Sequence, residues 1–110
     1  MAYADPLDER LRAARRKHYH ENKQQYLDRN AASLAECLRI MQDAKSVPCM
    51  DCGQSYPHYV MDFDHRNPTQ KIAEVGRMAR HGKRKLLEEI AKCDVVCANC
   101  HRERTHGAIV

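Results

Sequence analysis

Four cysteines in two closely spaced pairs are the residues whose chemistry is easiest to infer. Cys49 and Cys52 form one CxxC pair, and Cys97 and Cys100 form the other. A two-residue gap lets both thiolates of a pair reach one ion at about 2.3 Å, and four thiolates in a tetrahedron make a closed, structural zinc site. Residues 53–96 separate the pairs, so a sizeable segment is looped out between them. The sequence therefore predicts a structural Zn²⁺ held by these four cysteines.

The two remaining cysteines are interpreted differently. Cys37 lies in a helical pattern and is predicted to be a small core residue. Cys93 precedes Cys97 by four residues, which leaves it open as a competing zinc ligand. A reducing compartment favours metal binding over disulfides for such a set, and the protein is predicted to be cytoplasmic.

One aspartate and two histidines lie next to the positions that zinc would pin together. Asp64 and His65 close a strand-like segment, and His101 directly follows the second cysteine pair. A carboxylate and an imidazole can hold a divalent ion with open positions, and a neutral imidazole can accept a proton from water near pH 7. These residues fit phosphodiester hydrolysis. Asp64 and His101 are predicted to bind a catalytic Mg²⁺ or Mn²⁺, with His65 as the general base.

The elements that must position these residues divide the chain into two predicted parts. Residues 1–46 are expected to form a basic helical arm that starts at Asp5-Pro6 and contains a second helix beginning at the capping pair Ser33 and Glu36. Residues 47–110 are expected to form the zinc-bound module.

Within the zinc-bound module, alternating residues predict a strand from His58 to Asp64. Helical stretches are expected around residues 70–80 and 84–92. A short strand is predicted at Val95-Val96, and a final helix from Ala98 to about His106.

Two longer segments, MDFDHRNP and KCDVVCANCHRERTH, resemble the HNH endonuclease family in its small four-cysteine, phage and bacterial form. The resemblance covers about residues 47–106. The Asp–His pair of the family matches Asp64 and His65, and its last His matches His101. It implies an α+β fold: a small zinc-stapled ββα-metal (HNH) module, here preceded by a helical N-terminal arm. It also implies DNA hydrolysis, with phage DNA-packaging proteins as further candidate partners and the host cytoplasm as location for a phage-encoded chain.

One position departs from the family pattern. The middle Asn of the family, which braces the general base, corresponds here to Lys92, with Asp94 nearby. Asn99, inside the second cysteine pair, and Asn67, two residues after His65, are the alternatives.

Basic residues are expected to carry DNA binding. The chain has 19 Lys and Arg against 15 Asp and Glu, a formal net charge of +4, and its basic residues cluster in blocks suited to phosphates. Phosphate contacts carry affinity but no sequence information, so sequence preference is predicted to be weak. The predicted DNA contacts near the site are Arg66, Lys71, Arg102 and Arg104, and those in the arm are Arg15, Arg16 and Lys17.

Two other functions use the same cysteines and basic residues. One is a non-catalytic zinc module that binds nucleic acid, which has no need for an Asp–His pair beside a helix histidine. The other is a docking subunit of a larger assembly, with the helical arm as its contact. A membrane protein is not expected, because no apolar stretch approaches the roughly 20 residues of a membrane span.

Overall fold

The computed structural model describes residues 6–109, and the side chains of residues 8–107. The helices are α1 (Pro6–Glu21), α2 (Lys23–Ala44), α3 (Lys83–Ile90) and α4 (Ala98–Ile109), and the strands are β1 (Met61–His65) and β2 (Cys93–Cys97). Three short 3₁₀ turns lie at His58–Val60, Pro68–Gln70 and Val75–Arg77. The α+β class is confirmed.

The chain forms two compact units, Met1–Ala32 and Ser33–Val110. In the first unit, α1 and α2 are separated only by Asn22, whose backbone N–H donates to the His18 carbonyl at 3.0 Å. Side chains in this unit are almost all exposed. The predicted cap at Asp5 lies outside the described residues. The predicted helix start at Ser33 is wrong, because α2 begins at Lys23 and runs through Ser33.

The second unit begins at Ser33 and not at residue 47, where the sequence placed the boundary. The reason is packing by the end of α2. Cys37 and Met41 are buried in one apolar cluster with residues from the looped-out segment and α3. The prediction of Cys37 as a core residue is therefore confirmed, and this part of α2 belongs to the same compact unit as the two cysteine pairs.

A two-stranded antiparallel sheet lies at the centre of the second unit. Its register runs from Met61 opposite Cys97 to His65 opposite Cys93. Met61 and Val96 are fully buried and pack with Cys49 and Cys97 in a second apolar cluster. The strand prediction of His58 to Asp64 starts too early, because His58–Val60 is a 3₁₀ turn. β2 is longer than the predicted Val95-Val96.

The expected helix at 70–80 is not formed. Two 3₁₀ turns replace it, and the Ile72 N–H donates to the Glu89 carboxylate at 3.0 Å instead of to a carbonyl one turn back. Val75 and Met78 are both buried, because a spacing of three residues also places side chains on one side of a 3₁₀ turn. The expected helices at 84–92 and 98–106 correspond to α3 and α4.

Within residues 6–109, no helix combines the length and apolar character needed to cross a bilayer.

Candidate functional site

The four cysteines predicted to bind zinc lie together. The Sγ atoms of Cys49, Cys52, Cys97 and Cys100 are all within 4.8 Å of one another. Sulfurs at 2.3 Å from a tetrahedral ion are about 3.8 Å apart, so small side-chain movements would close this cysteine cluster around one ion. Among the described residues, it is the one group of three or more ligand-type side chains that meets this distance. The cluster could hold a structural metal such as zinc.

Backbone hydrogen bonds shape the first cysteine pair into a tight turn. Gly53 donates its N–H to the Cys49 carbonyl at 2.8 Å, and the Met50 N–H ties the turn to Val95 of β2 at 3.0 Å. Gly53 has φ of 73°, a conformation that a residue with a Cβ adopts at a cost.

Nearby N–H groups favour the thiolate form of Cys49. The Cys97 N–H donates to the Cys49 sulfur at 3.3 Å. Burial acts to raise the pKa of Cys49, but hydrogen bonds from the backbone of Cys52 and Cys97 outweigh it and lower this pKa to about 6. A thiolate is the form that binds a metal.

Cys93 lies outside the cysteine cluster. Its Sγ donates to the Glu89 carbonyl at 3.4 Å. Burial, followed by the charge of Glu89, raises the pKa of Cys93 to about 11. The structure therefore favours a thiol at this position, in the apolar cluster that also contains Cys37.

A second group, here called the Asp–His cluster, consists of Asp62, Asp64 and His101. The two aspartates point to the same face of β1 because side chains two residues apart in a strand share a face. The His101 ring lies between them, with Nδ1 3.1 Å from Asp62 and Nε2 3.5 Å from Asp64. His101 is in the first turn of α4, directly after Cys100. The cysteine cluster thus fixes the helix start that brings His101 to β1.

Arg104 neutralises the carboxylates around Asp64. Asp64 and Asp94 are opposite each other across the strands, a like-charged pair that is unfavourable alone. The Arg104 Nη1 atom lies 2.9 Å from Asp64 and 3.0 Å from Asp94. Its Nε and Nη2 atoms each lie 2.6 Å from Asp51, in the first cysteine turn. These contacts raise the pKa of Arg104, and the guanidinium lowers that of Asp51.

His65 points to a different partner. Its Nε2 lies 2.8 Å from the Glu89 carboxylate, and its side chain is only 6% exposed. This is the one hydrogen bond of the ring to the described chain, and no buried side-chain nitrogen among the described residues lacks a partner. Nδ1 therefore has no partner among the described residues and is not completely buried. The structure brings Asp64 and His101 into contact. The hydrogen bond of the His65 ring goes to Glu89 and not to either of them.

Glu89 is a buried carboxylate with three donors. It accepts from the Ile72 N–H at 3.0 Å, from Lys92 Nζ at 2.9 Å and from His65. Burial alone would raise its pKa, but these donors outweigh burial and lower the pKa of Glu89 to about 2. Because an ionised carboxylate can only accept, the His65 Nε2 atom carries the proton and Nδ1 has the free lone pair.

Glu89 and Asp62 were not singled out from the sequence. Asp62 had a usable signal, since it lies two residues from Asp64 in the predicted strand. Glu89 lies three residues after Leu86 on α3, and both are buried. A charged residue at the spacing of an apolar face is the pattern of a buried polar group.

None of the four candidates for the bracing residue contacts the His65 ring. Lys92 Nζ reaches Glu89 and, at 3.0 Å, the Gln70 carbonyl. Asp94 pairs with Arg104. The Asn67 side chain accepts from the Thr69 N–H at 3.1 Å, capping the Pro68–Gln70 turn, and Asn99 is exposed at the start of α4. Among the described residues, Glu89 is the one that forms a hydrogen bond with the His65 ring.

Of the four predicted DNA contacts near the site, three form ion pairs within the chain and one is exposed beside a cavity. Arg104 forms ion pairs with three aspartates of the chain, and its contact with phosphate stays a prediction. Arg66 donates to the Cys93 carbonyl at 2.9 Å and pairs with Asp94, and Lys71 pairs with Glu74. Arg102 is exposed and lines a cavity beside His101.

The three predicted contacts in the arm are exposed on α1. Arg16 lies 2.9 Å from Glu9, and Lys17 lies 3.9 Å from Glu21. Arg15 is exposed between Ala14 and Arg16. Surface pairs of this kind contribute little free energy and yield readily to other partners.

Two open cavities flank the Asp–His cluster, and both include Asp62 and His101 in their lining. One, of about 390 Å³, runs along α4 past Arg102. The other, of about 340 Å³, lies towards Lys45 at the end of α2 and Arg77 in the last 3₁₀ turn. The cluster is thus accessible from two sides.

Comparison with protein-family models, with curated proteins and with solved structures finds no match to this chain.

Proposed function

We propose that this chain is a metal-dependent endonuclease of the HNH type that hydrolyses DNA phosphodiester bonds with weak sequence preference. The observation that carries the proposal is the Asp–His cluster. Asp64 and His101 are predicted as ligands of one ion from separate parts of the chain, and the His101 Nε2 atom lies 3.5 Å from an Asp64 carboxylate oxygen. Asp62 and His101, but not Asp64, line two cavities.

The donor types of the cluster suit a divalent cation, but Asp62, Asp64 and His101 do not bring one ligand atom each within 4.8 Å of one another as the cysteines do, so their side chains would have to move to bind one. Two carboxylates and one imidazole leave several coordination positions open, and such oxygen-rich sets favour Mg²⁺ or Mn²⁺. When bound, the ion stabilises negative charge that develops on the phosphate. Asp62 and Asp64 supply charge for the ion, and His101 is positioned to turn one ring nitrogen from a carboxylate to the ion.

His65 is suited to accept a proton from the attacking water. The Glu89 carboxylate holds the proton of the ring on Nε2, which leaves the lone pair of Nδ1 to accept a proton. A carboxylate partner also fixes the orientation of the ring and stabilises the imidazolium that forms when Nδ1 takes up a proton. The general base is thereby oriented before substrate binds.

The cysteine cluster is proposed to bind a structural Zn²⁺. Cys97 ends β2 and Cys100 lies in the first turn of α4. An ion bound there would fix the angle between strand and helix, and therefore the position of His101 over β1.

One observation favours a non-catalytic zinc module as the alternative. Arg104 and His101 already compensate the charge of Asp64. In that alternative, the same contacts hold α4 on the sheet and no catalytic ion binds.

The test is conversion of supercoiled plasmid by the zinc-loaded protein, in Mg²⁺, in Mn²⁺ and without added metal. We expect nicked or linear DNA only with added metal. His65→Ala should lower the cleavage rate by about 10²-fold or more, in the range of lost acid–base catalysis. Cleavage by neither protein, or equal cleavage by both, would refute the assignment.

A further inference from the structure

We propose that Lys45 and Arg77 form a phosphate-binding subsite for the DNA strand, beside the Asp–His cluster. The inference rests on the proposed function, since it assigns the substrate's backbone to a cavity of the same site. Neither residue is among the individual DNA contacts predicted from the sequence, although Arg77 begins the basic block of residues 77–85.

The cavity of about 340 Å³ supports this placement. Lys45 lies just after the end of α2, and Arg77 lies in the Val75–Arg77 turn, so two separate segments supply positive charge to one cavity. Asp62 and His101 line the same cavity. An anion between the two cations is therefore adjacent to the residues proposed to hold the catalytic ion.

The charges of these two cations are available. Among the described side chains, neither Lys45 nor Arg77 has a carboxylate within 4.0 Å, whereas Lys71, Lys92 and Arg104 each have one. Glu74, the other acid of this cavity, pairs with Lys71. The charge of Arg77 also helps to lower the pKa of Glu74, but Lys45 and Arg77 have no carboxylate partner in direct contact among the described side chains, so both can bind an anion from outside.

A contact with an aromatic ring holds the ammonium of Lys45 in place. Its Nζ lies 5.1 Å from the centre of the Phe63 ring, and Phe63 is half-buried in β1. A cation–π contact orients an ammonium without neutralising its charge. Phe63 points to the face of β1 opposite Asp62 and Asp64, so Lys45 is held on that face and meets Asp62 only in the cavity that both line.

A phosphodiester of nucleic acid is the anion that fits best. It carries one charge, it recurs along a strand, and a strand placing one phosphate at the Asp–His cluster must place neighbouring phosphates on either side. The second cavity, with Arg102, lies on the other side of Asp62 and His101. A strand crossing the cluster would therefore meet cations before and after the cleaved bond.

The experiment measures DNA binding and cleavage by Lys45→Met and Arg77→Met. Binding of a duplex oligonucleotide is measured in Ca²⁺, and cleavage in Mn²⁺. We expect each variant to bind about 10-fold more weakly or worse, the loss associated with a charge-assisted hydrogen bond. Lys45→Arg and Arg77→Lys should restore most of the affinity. Arg39→Met and Arg80→Met, which remove exposed cations elsewhere, are the matched controls and should change binding less than 3-fold.

A methylphosphonate scan locates the contact. Replacing one phosphate next to the cleaved bond by a neutral methylphosphonate should weaken wild-type binding and have little further effect on the double variant, since contacting partners are not additive. Thermal unfolding of each variant separates a lost contact from a lost fold, and Arg77→Met tests the subsite even if Lys45 also supports the end of α2.

Three outcomes would overturn the inference: the two variants bind like the controls, the conservative variants fail to restore binding although they fold, or the methylphosphonate effect is the same in wild type and double variant. These results differ from failure of the proposed function, in which wild type does not cleave in any metal. In that case, the measurements of DNA binding in Ca²⁺ still test whether Lys45 and Arg77 bind phosphate.

Discussion

At the scale of single residues, Glu89 is the side chain on which the orientation of His65 depends. A carboxylate that is 1% exposed would normally be neutral. Hydrogen bonds from Ile72, Lys92 and His65 keep it ionised. One buried charge thereby joins the loop after β1, the end of α3 and the proposed general base.

Glu89→Gln tests this role through pH. The pKa of Glu89 is about 2 in the folded protein, against an ordinary value of 4.5. A lowered folded-state pKa stabilises the protein fully above 4.5, and the stabilisation is lost as pH falls towards 2. We expect wild type to be about 2 kcal/mol more stable than the variant at pH 7, with the difference shrinking between pH 4.5 and 3.

The measurement is chemical unfolding of zinc-saturated protein at several pH values, down to the lowest pH at which each protein still holds its zinc, because acid also protonates thiolate ligands. Glu88→Gln is the matched control, since Glu88 is exposed and pairs with Arg84 only at 4.0 Å. A wild type no more stable than Glu89→Gln at pH 7 would show that the charge of Glu89 does not stabilise the fold.

Arg104→Met tests the second residue-scale claim. The substitution leaves Asp51, Asp64 and Asp94 without their shared cation, so we expect the free energy of unfolding to fall by about 2 kcal/mol. Arg102→Met, on the exposed side of the same helix, should change it by less than about 0.5 kcal/mol. Urea unfolding of both variants measures these free energies. Equal free energies of unfolding would show that the ion pairs of Arg104 do not stabilise the fold.

At the scale of elements, the hairpin and the cysteine cluster are what the sequence predicted best. CxxC spacing and alternation of apolar residues are local signals. The four Sγ atoms lie together as the spacing predicts, and Met61 to Asp64 of the predicted strand lie in β1. Two features depended on distant contacts. The partner of His65 lies 24 residues away on α3, and the segment 70–80 follows a three-residue apolar spacing that a helix and a 3₁₀ turn share.

The cysteine cluster predicts a clear difference between cysteines. Cys97→Ala should remove zinc and unfold the second unit, because metal binding and folding are coupled in small modules of this kind. Cys93→Ala should retain one zinc per chain, since Cys93 lies outside the cluster. Metal analysis with far-UV circular dichroism checks both, and zinc loss in Cys93→Ala would make that residue a ligand.

At the scale of the whole molecule, the boundary between the two units reflects how a small chain builds a core. The sequence placed the boundary at residue 47, where the cysteine module starts. Packing places it at Ser33, because Cys37 and Met41 complete a core that one sheet and two short helices cannot fill. Helical periodicity predicted that Cys37 and Met41 share the apolar side of a helix. It did not predict which residues this side packs against.

Two truncations test this boundary. A chain lacking residues 1–32 should bind one zinc and unfold cooperatively. A chain lacking residues 1–46 also loses Cys37 and Met41, and removing one buried methionine alone costs about 2–5 kcal/mol, so it should melt without cooperativity or fail to fold. Equal thermal stability of the two truncated chains would contradict the role of α2 in the core.

The most direct test of the central claim is Mn²⁺ binding to the zinc-loaded protein, followed by electron paramagnetic resonance of the free ion. We predict one Mn²⁺ site per chain in wild type, lost in Asp64→Asn and in His101→Ala and retained in His65→Ala. A wild-type protein without such a site, or one whose site survives both ligand substitutions, would contradict the account.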